Sequence, residues 1–209
     1  MLVLRQVDID GVQALKLEIA GLVLAAGSSS RLGRCKQLLK LRGETLAHRI
    51  ARQALSCCTG PVVCVLGAEA EAISAVLEDL PVQTCLNRNW ESGMASSLRC
   101  GIAALPDTVA GVMVLLCDQH RIETSDLKRL LAAWQGDETV AAAYRGVLGA
   151  PAIFPRRHFD QLSALRGDQG ARQLLRCADE TPVPIRMPAA GFDMDTSADL
   201  AHLTGTQSG

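Results

Sequence analysis

Three short runs of nearly unbroken apolar residues restrict the fold most: GLVLAA at residues 21–26, PVVCVLG at 61–67 and GVMVLLCD at 111–118. A strand that alternates apolar and polar residues can leave one face in water. A run that is apolar at every position has to be covered on both faces. Helical patterns separate the runs. Glu44–Cys57 places Leu46, Ile50 and Leu55 near helical spacing, and further helices are expected over Glu69–Asp79, Met94–Leu105 and Thr124–Trp134, the last capped by Thr124 or Ser125. VQTCL, from Val82, adds a strand.

After Thr139 the pattern loosens, and TVAAAYRGVLGAPAIFP reads as two short strands about a glycine-containing turn. A helix near Arg172–Cys177, a strand near Val183–Met187 and a closing helix from Ser197 complete the chain. The alternation predicts a three-layer α/β fold: a mostly parallel, Rossmann-like sheet with helices on both faces and a small antiparallel excursion near 139–155. One domain over residues 21–204 is expected, preceded by an extension over 1–20 (an extra strand or an added arm) and followed by a frayed tail over 205–209.

Composition narrows the function. The net charge of -1 and the 3% aromatic content argue against a nucleic-acid surface. No stretch approaches the roughly 18 apolar residues of a membrane helix. Arg5, Asp8 and Asp10 interrupt the place where a signal peptide keeps its apolar core, so a cytoplasmic location is expected. The eight cysteines then read as thiols, with no C-x-x-C pair to hold zinc or an iron–sulfur cluster, and Cys64, Cys100 and Cys117 as small core residues.

Basic character is local. Arg31, Arg34, Lys36, Lys40 and Arg42 crowd the stretch after the first apolar run, with no acid among them. Ligands of such folds bind beyond the carboxyl ends of the strands. Gly27 there permits a tight turn, the backbone N–H groups around Ser28–Ser30 can face an anion, and Arg31 and Lys36 add full charges. These features suit a polyphosphate, yet neither familiar glycine motif fits: one needs glycine at Leu32, the other at Ser29. A solvated basic loop is the plain alternative. A triphosphate travels with a hard cation, which needs carboxylates. Asp118 ends the most apolar run; Asp193 and Asp195 lie two apart in FDMDTSADL, where Asp195 or Thr196 could equally cap a helix.

LAAGSSSRLGRCKQLL resembles the nucleotide-binding signature of the nucleotidyltransferase superfamily of molybdenum cofactor guanylyltransferases and cytidylyltransferases. NRNWESGMASSLRCGIAAL, LLCDQ, GAPAIFP, LRGDQGARQLL and DMDTSADL follow in the order of the cytidylyltransferase branch, so the resemblance runs from Gly21 to Leu203. It implies transfer of CMP from CTP to the terminal phosphate of molybdopterin, or of its molybdenum-loaded form, releasing pyrophosphate. On that template Leu24, Ala25, Ala26, Gly27, Ser28 and Ser29 hold the nucleotide, and Arg31 and Lys36 contact its phosphates. Asp118 binds Mg²⁺ (or Mn²⁺), with Asp195 as the second metal contact. Ser96 and Ser97 fall where the family contacts base or ribose, and Gly149, Pro151, Gly167, Asp168, Gly170 and Arg172 where the pterin side is expected. A transient contact with a receiving molybdoenzyme is implied; nucleic-acid and membrane partners are not.

Three positions depart from the pattern. Cys35 replaces a proline, and beside Arg34 and Lys36 an exposed thiol there would have a lowered pKa. His120 replaces another proline, and Ala150 replaces the histidine of a GHP motif, which bears on how the acceptor is held. His48, His158 and His202 are assigned no chemistry. Another base, a sugar phosphate acceptor, or a pterin carrier with no chemistry are the rival readings.

Overall fold

The computed structural model describes residues 5–9, 12–29, 33–177 and 181–194, with backbone alone for 5–9, 12–16 and 177. β1 (Arg5–Ile9) and β2 (Val12–Lys16) pair as an antiparallel hairpin, so the N-terminal extension contains two strands. The main sheet begins with β3 (Ile19–Ala25), buried at every position. A short hairpin, β4 (Lys40–Leu41) with β5 (Glu44–Thr45), leads into α1 (Leu46–Leu55), whose Thr45 cap accepts from the His48 amide. There follow β6 (Val62–Leu66), α2 (Ala70–Ala75), β7 (Gln83–Leu86), α3 (Met94–Ala103), β8 (Gly111–Leu116) and α4 (Thr124–Ala133). Then come β9 (Val140–Tyr144), β10 (Val147–Pro155), α5 (Phe159–Ala164), α6 (Ala171–Cys177) and β11 (Val183–Arg186).

Seven strands form one sheet in the order β11-β9-β10-β8-β3-β6-β7. Only β10 runs against its neighbours; the pairs β3–β6, β3–β8, β6–β7 and β9–β11 are parallel. The expected excursion over 139–155 is therefore a reversed strand within the main sheet. Successive side chains of a strand point to opposite faces. Val23 and Ala25 pack with Ile50, Ala51, Ile73, Leu127 and Leu130, so α1, α2 and α4 cover one face. Leu22 and Leu24 pack with Leu98, Phe159, Leu162 and Leu174, so α3, α5 and α6 cover the other. Two cores divided by one sheet account for the unbroken apolar runs.

Local details differ from expectation. Glu123, one residue earlier than expected, caps α4: its carboxylate accepts from the Asp126 amide while the Asp126 carboxylate accepts from the Glu123 N–H at 3.1 Å. The helix expected over Glu69–Asp79 is a short one, Ala70–Ala75, followed by turns. The β4–β5 hairpin and α5 are additions. The closing helix from Ser197 and the tail lie outside the described residues.

Candidate active site

The chain leaves β3 toward β6 on one side, then returns from β7 to β8 on the other. A cleft opens where the winding direction changes, beyond the carboxyl ends of β3 and β8. Lys36 follows β3 and Asp118 follows β8. Their side chains meet across this cleft, Nζ to Oδ2 at 3.5 Å, with 15% and 28% of each exposed.

The cleft has a volume of about 370 Å³. Of the residues expected to hold a nucleotide, Leu24, Ala26, Gly27, Ser28, Ser29, Lys36, Ser97 and Asp118 line it. Ala25 is buried behind it. Ser96 also stands behind, bonded to the Gly93 carbonyl at 2.8 Å and to Asn87 at 2.7 Å. The same Asn87 amide donates to Ser97 Oγ at 3.1 Å, aiming that hydroxyl from the first turn of α3. Arg31 and Asp195 lie outside the described residues.

The turn after β3 is made differently from the expectation for Gly27. The left-handed residue is Ser29, with φ of 54°, whereas Gly27 has no positive φ and a Cβ there would touch nothing within 4 Å. Gln37, only 5% exposed, reaches back under the turn. Its Nε2 donates to the carbonyls of Ala25 (3.1 Å) and Gly27 (2.8 Å), and its Oε1 accepts from Ser29 Oγ (3.3 Å) and Cys35 Sγ (3.1 Å). Ser29 Oγ in turn accepts from the Lys36 amide at 3.1 Å. The Cys35 thiol is half-buried, and burial pushes its pKa up; the lowering expected from Arg34 and Lys36 is corrected by that desolvation.

A second cleft of about 540 Å³ adjoins the first, sharing Leu24, Met94, Leu116 and Asp168 as common walls. Gly149, Asp168, Gly170, Arg172 and Asp193 line it, as does Ala150, whose methyl stands where the resemblance places a histidine. Pro151 and Gly167 do not line it. Pro151 is buried in β10, and Gly167 (φ +58°) offers its carbonyl to the Ala95 amide at 3.1 Å beneath Gly93. Tyr144 approaches Gly149 so closely that a Cβ there would overlap its hydroxyl. Burial first, and then the charge of Asp193, push the Tyr144 phenol upward, so it stays protonated at neutral pH.

The Asp118 carbonyl accepts from the amides of His120 (2.9 Å) and Met194 (3.0 Å), which hangs the 192–194 segment beside β8. Gln119, 3% exposed, donates to the carbonyls of Ala150 and Ala190, both at 2.8 Å, tying the loop after β8 to the second cleft. His120 lines neither cleft. Sequence reasoning missed Asn87, Gln119 and the cleft residues Gln37, Trp90 and Glu91. All five lie inside the quoted LAAGSSSRLGRCKQLL, NRNWESGMASSLRCGIAAL and LLCDQ segments, and of them Trp90 stood out further as a rare large aromatic.

Among the described residues no group of three His, Cys, Asp or Glu side chains could hold a metal ion. Magnesium needs only one or two carboxylates beside substrate phosphates. Asp118, which lines the cleft, fits that demand for a cation that would arrive with a substrate's phosphates. No helix among the described residues is long and apolar enough to cross a membrane.

Residues 21–183 match the model of the MobA-like NTP transferase domain. A nicotine blue oxidoreductase of Paenarthrobacter nicotinovorans is 34% identical over 88% of this chain and 96% of its own length. A probable molybdenum cofactor guanylyltransferase of Opitutus terrae is 37% identical over 57% of this chain and 53% of its own. The crystal structure of Rv0371c from Mycobacterium tuberculosis superposes with a TM-score of 0.81 at 28% identity, covering 91% of this chain and 98% of that one. Its complex with manganese gives a TM-score of 0.76 at 25% identity, covering 90% and 99%.

Proposed function

Since the chain belongs to the MobA-like NTP transferase family, and is a nucleotidyltransferase of it, we propose that it moves CMP from CTP to the terminal phosphate of molybdopterin or its molybdenum-loaded form. The observation that carries this reading is the Lys36–Asp118 pair, 3.5 Å apart in a cleft that shares its wall with a second one. An oxygen of the acceptor's terminal phosphate forms a bond to the α-phosphorus of CTP. The bond from that phosphorus to the bridging β-phosphate oxygen breaks, and pyrophosphate leaves. The protein's contribution is positioning and charge neutralisation rather than covalent chemistry.

Lys36 gives its ammonium to the phosphate oxygens, assisted by Arg31, while the backbone of Ala26–Ser29 cradles them. Ser97 orients the ribose or base. In the second cleft Arg172 holds the acceptor's anionic group and Tyr144 donates a hydrogen bond to it; Gly149 and Gly170 leave room for its ring system. Asp118, with Asp195, would hold a divalent cation, which supplies charge withdrawal from the triphosphate when bound; the manganese complex of Rv0371c supports such a cation. Cytosine as the base, the pterin as acceptor and delivery to a molybdoenzyme rest on the resemblance, and the names of guanylyltransferase relatives make GTP the first competitor.

Incubation with magnesium, molybdopterin and each nucleotide in turn, with products identified by mass, tests the proposal. Pyrophosphate and a cytosine dinucleotide are expected with CTP alone. A guanine product would move the base assignment, and product formed only with a sugar phosphate would move the acceptor. The second reading, electron transfer to a small molecule, is favoured by the name of the Paenarthrobacter relative. Consumption of a nicotinamide reductant without pyrophosphate release would establish it.

A further inference from the structure

We infer that Gln37 is the positioning residue that gives the loop after β3 its phosphate-binding shape, a task that glycines perform in other phosphate loops. The inference rests on the nucleotidyl-transfer reading above. Four bonds converge on this one amide, and they are of two kinds. Its NH₂ meets two backbone carbonyls, Ala25 O and Gly27 O, while its oxygen meets two donors, Ser29 Oγ and Cys35 Sγ. Turning the amide over would set its oxygen against two carbonyls, so the network fixes one orientation. A carboxylate could accept from Ser29 and Cys35 but would face the carbonyls of Ala25 and Gly27 with negative charge.

The consequence lies in the peptide joining Gly27 and Ser28. It is trans, since the cis bond is Ala150–Pro151, and in a trans peptide C=O and N–H point in opposite directions. With the Gly27 carbonyl held inward by Gln37, the Ser28 N–H is turned away from it, at a residue that is exposed and lines the cleft. Ser29 then adopts a left-handed φ of 54°, unusual for serine, with its hydroxyl tied to both Gln37 and the Lys36 amide. One 3₁₀ turn, Lys36–Leu38, thereby supplies the charge and sets the backbone donor that it works with.

The full chain with magnesium is titrated with inorganic tripolyphosphate, following affinity by calorimetry and the Ser28 amide by NMR. Gln37→Met keeps the shape and removes every bond; Gln37→Glu keeps the acceptors and removes the donors. Both should bind tripolyphosphate about tenfold or more weakly, as expected for losing a preset donor to an anion, and the Ser28 resonance should cease to respond. Equal affinity in wild type and a folded Gln37→Met would overturn the assignment alone. Absence of tripolyphosphate binding in the wild type would overturn the nucleotidyl-transfer reading beneath it. Failure of both variants to fold would make Gln37 a structural residue and overturn the proposal too.

Discussion

The two adjoining clefts are built by different means. Around the first, buried side-chain amides do the fixing: Gln37 and Asn87 are each 5% exposed and hold the β3 loop and the first turn of α3 from behind. Around the second, one buried amide, Gln119, anchors Ala150 from behind, but the charged groups Arg172, Arg176 and Asp193 are exposed, and close approach of glycines to Tyr144 and Met94 defines the walls. A site held by buried, satisfied polar groups is set before its ligand arrives and tolerates little change. A site furnished with exposed charges on a glycine frame can be altered residue by residue without disturbing the core. The names of the relatives, a nicotine blue oxidoreductase and a probable molybdenum cofactor guanylyltransferase, point to different substrates.

The largest effect that would sharpen the comparison is expected from Asp118→Ala. Pyrophosphate release should fall by about a hundred- to a thousandfold, the range seen when a main electrostatic stabiliser is removed, while binding of the proposed pterin acceptor in the second cleft is largely spared. Unchanged turnover would break the assignment of the first cleft. Arg172→Ala should act on the other side only, raising the KM for the acceptor about tenfold through loss of a charged hydrogen bond and leaving CTP affinity as it was. A matching loss of CTP affinity would mean that the clefts are not separate in function.

A smaller effect is expected away from both clefts. A Cβ at Gly101 of α3 would meet Leu22 and, at 2.9 Å, Val65 Cγ2 on the sheet. Gly101→Ala should cost about 1–3 kcal/mol of stability by overpacking, seen as a lower thermal midpoint. The KM of either substrate should change much less than in the cleft variants.

The smallest effect concerns pH. His48 is desolvated, which lowers its pKa, but its ring N–H groups donate to Glu44 (2.7 Å) and Asp79 (3.2 Å), and these bonds and charges outweigh burial and raise it above 6.5. A raised histidine stabilises the fold while protonated; its contribution is whole below 6.5 and fades as pH climbs through the folded value. Denaturant melts of wild type and His48→Gln should converge as pH rises from 6 to 8, by less than about 1 kcal/mol because Asp79 is mostly exposed. The Glu44 carboxyl, pulled down to about 2 chiefly by Arg52, keeps its charge throughout that range.

Much of this architecture was legible in residue order. Strands apolar on both faces announce themselves, and the covered parallel sheet follows. Lys36 and Asp118 were legible for a related reason, since each ends a stretch that a resembling family marks. What remained hidden depends on contacts made through space. Gln37 sits in a polar loop with no periodicity, and only the folded turn shows that its amide lies beneath Ala25 and Gly27. Cys35 would be activated beside two cations if it were exposed, and burial decides otherwise. Glu123 and Asp126 make a capping box with an acid in the place usually taken by serine or threonine. α5, six residues between Pro155 and a polar loop, is too short to show a helical period.

The most direct test of the central claim is a crystal structure with magnesium and a CTP analogue whose α–β bridge resists cleavage. The account predicts the α-phosphate between Lys36 and Asp118, the base toward Ser97 and the triphosphate over Ala26–Ser29, leaving the cleft at Arg172 open to an acceptor. A nucleotide seated in the Arg172 cleft, or bound with its phosphates away from Lys36 and Asp118, would contradict it.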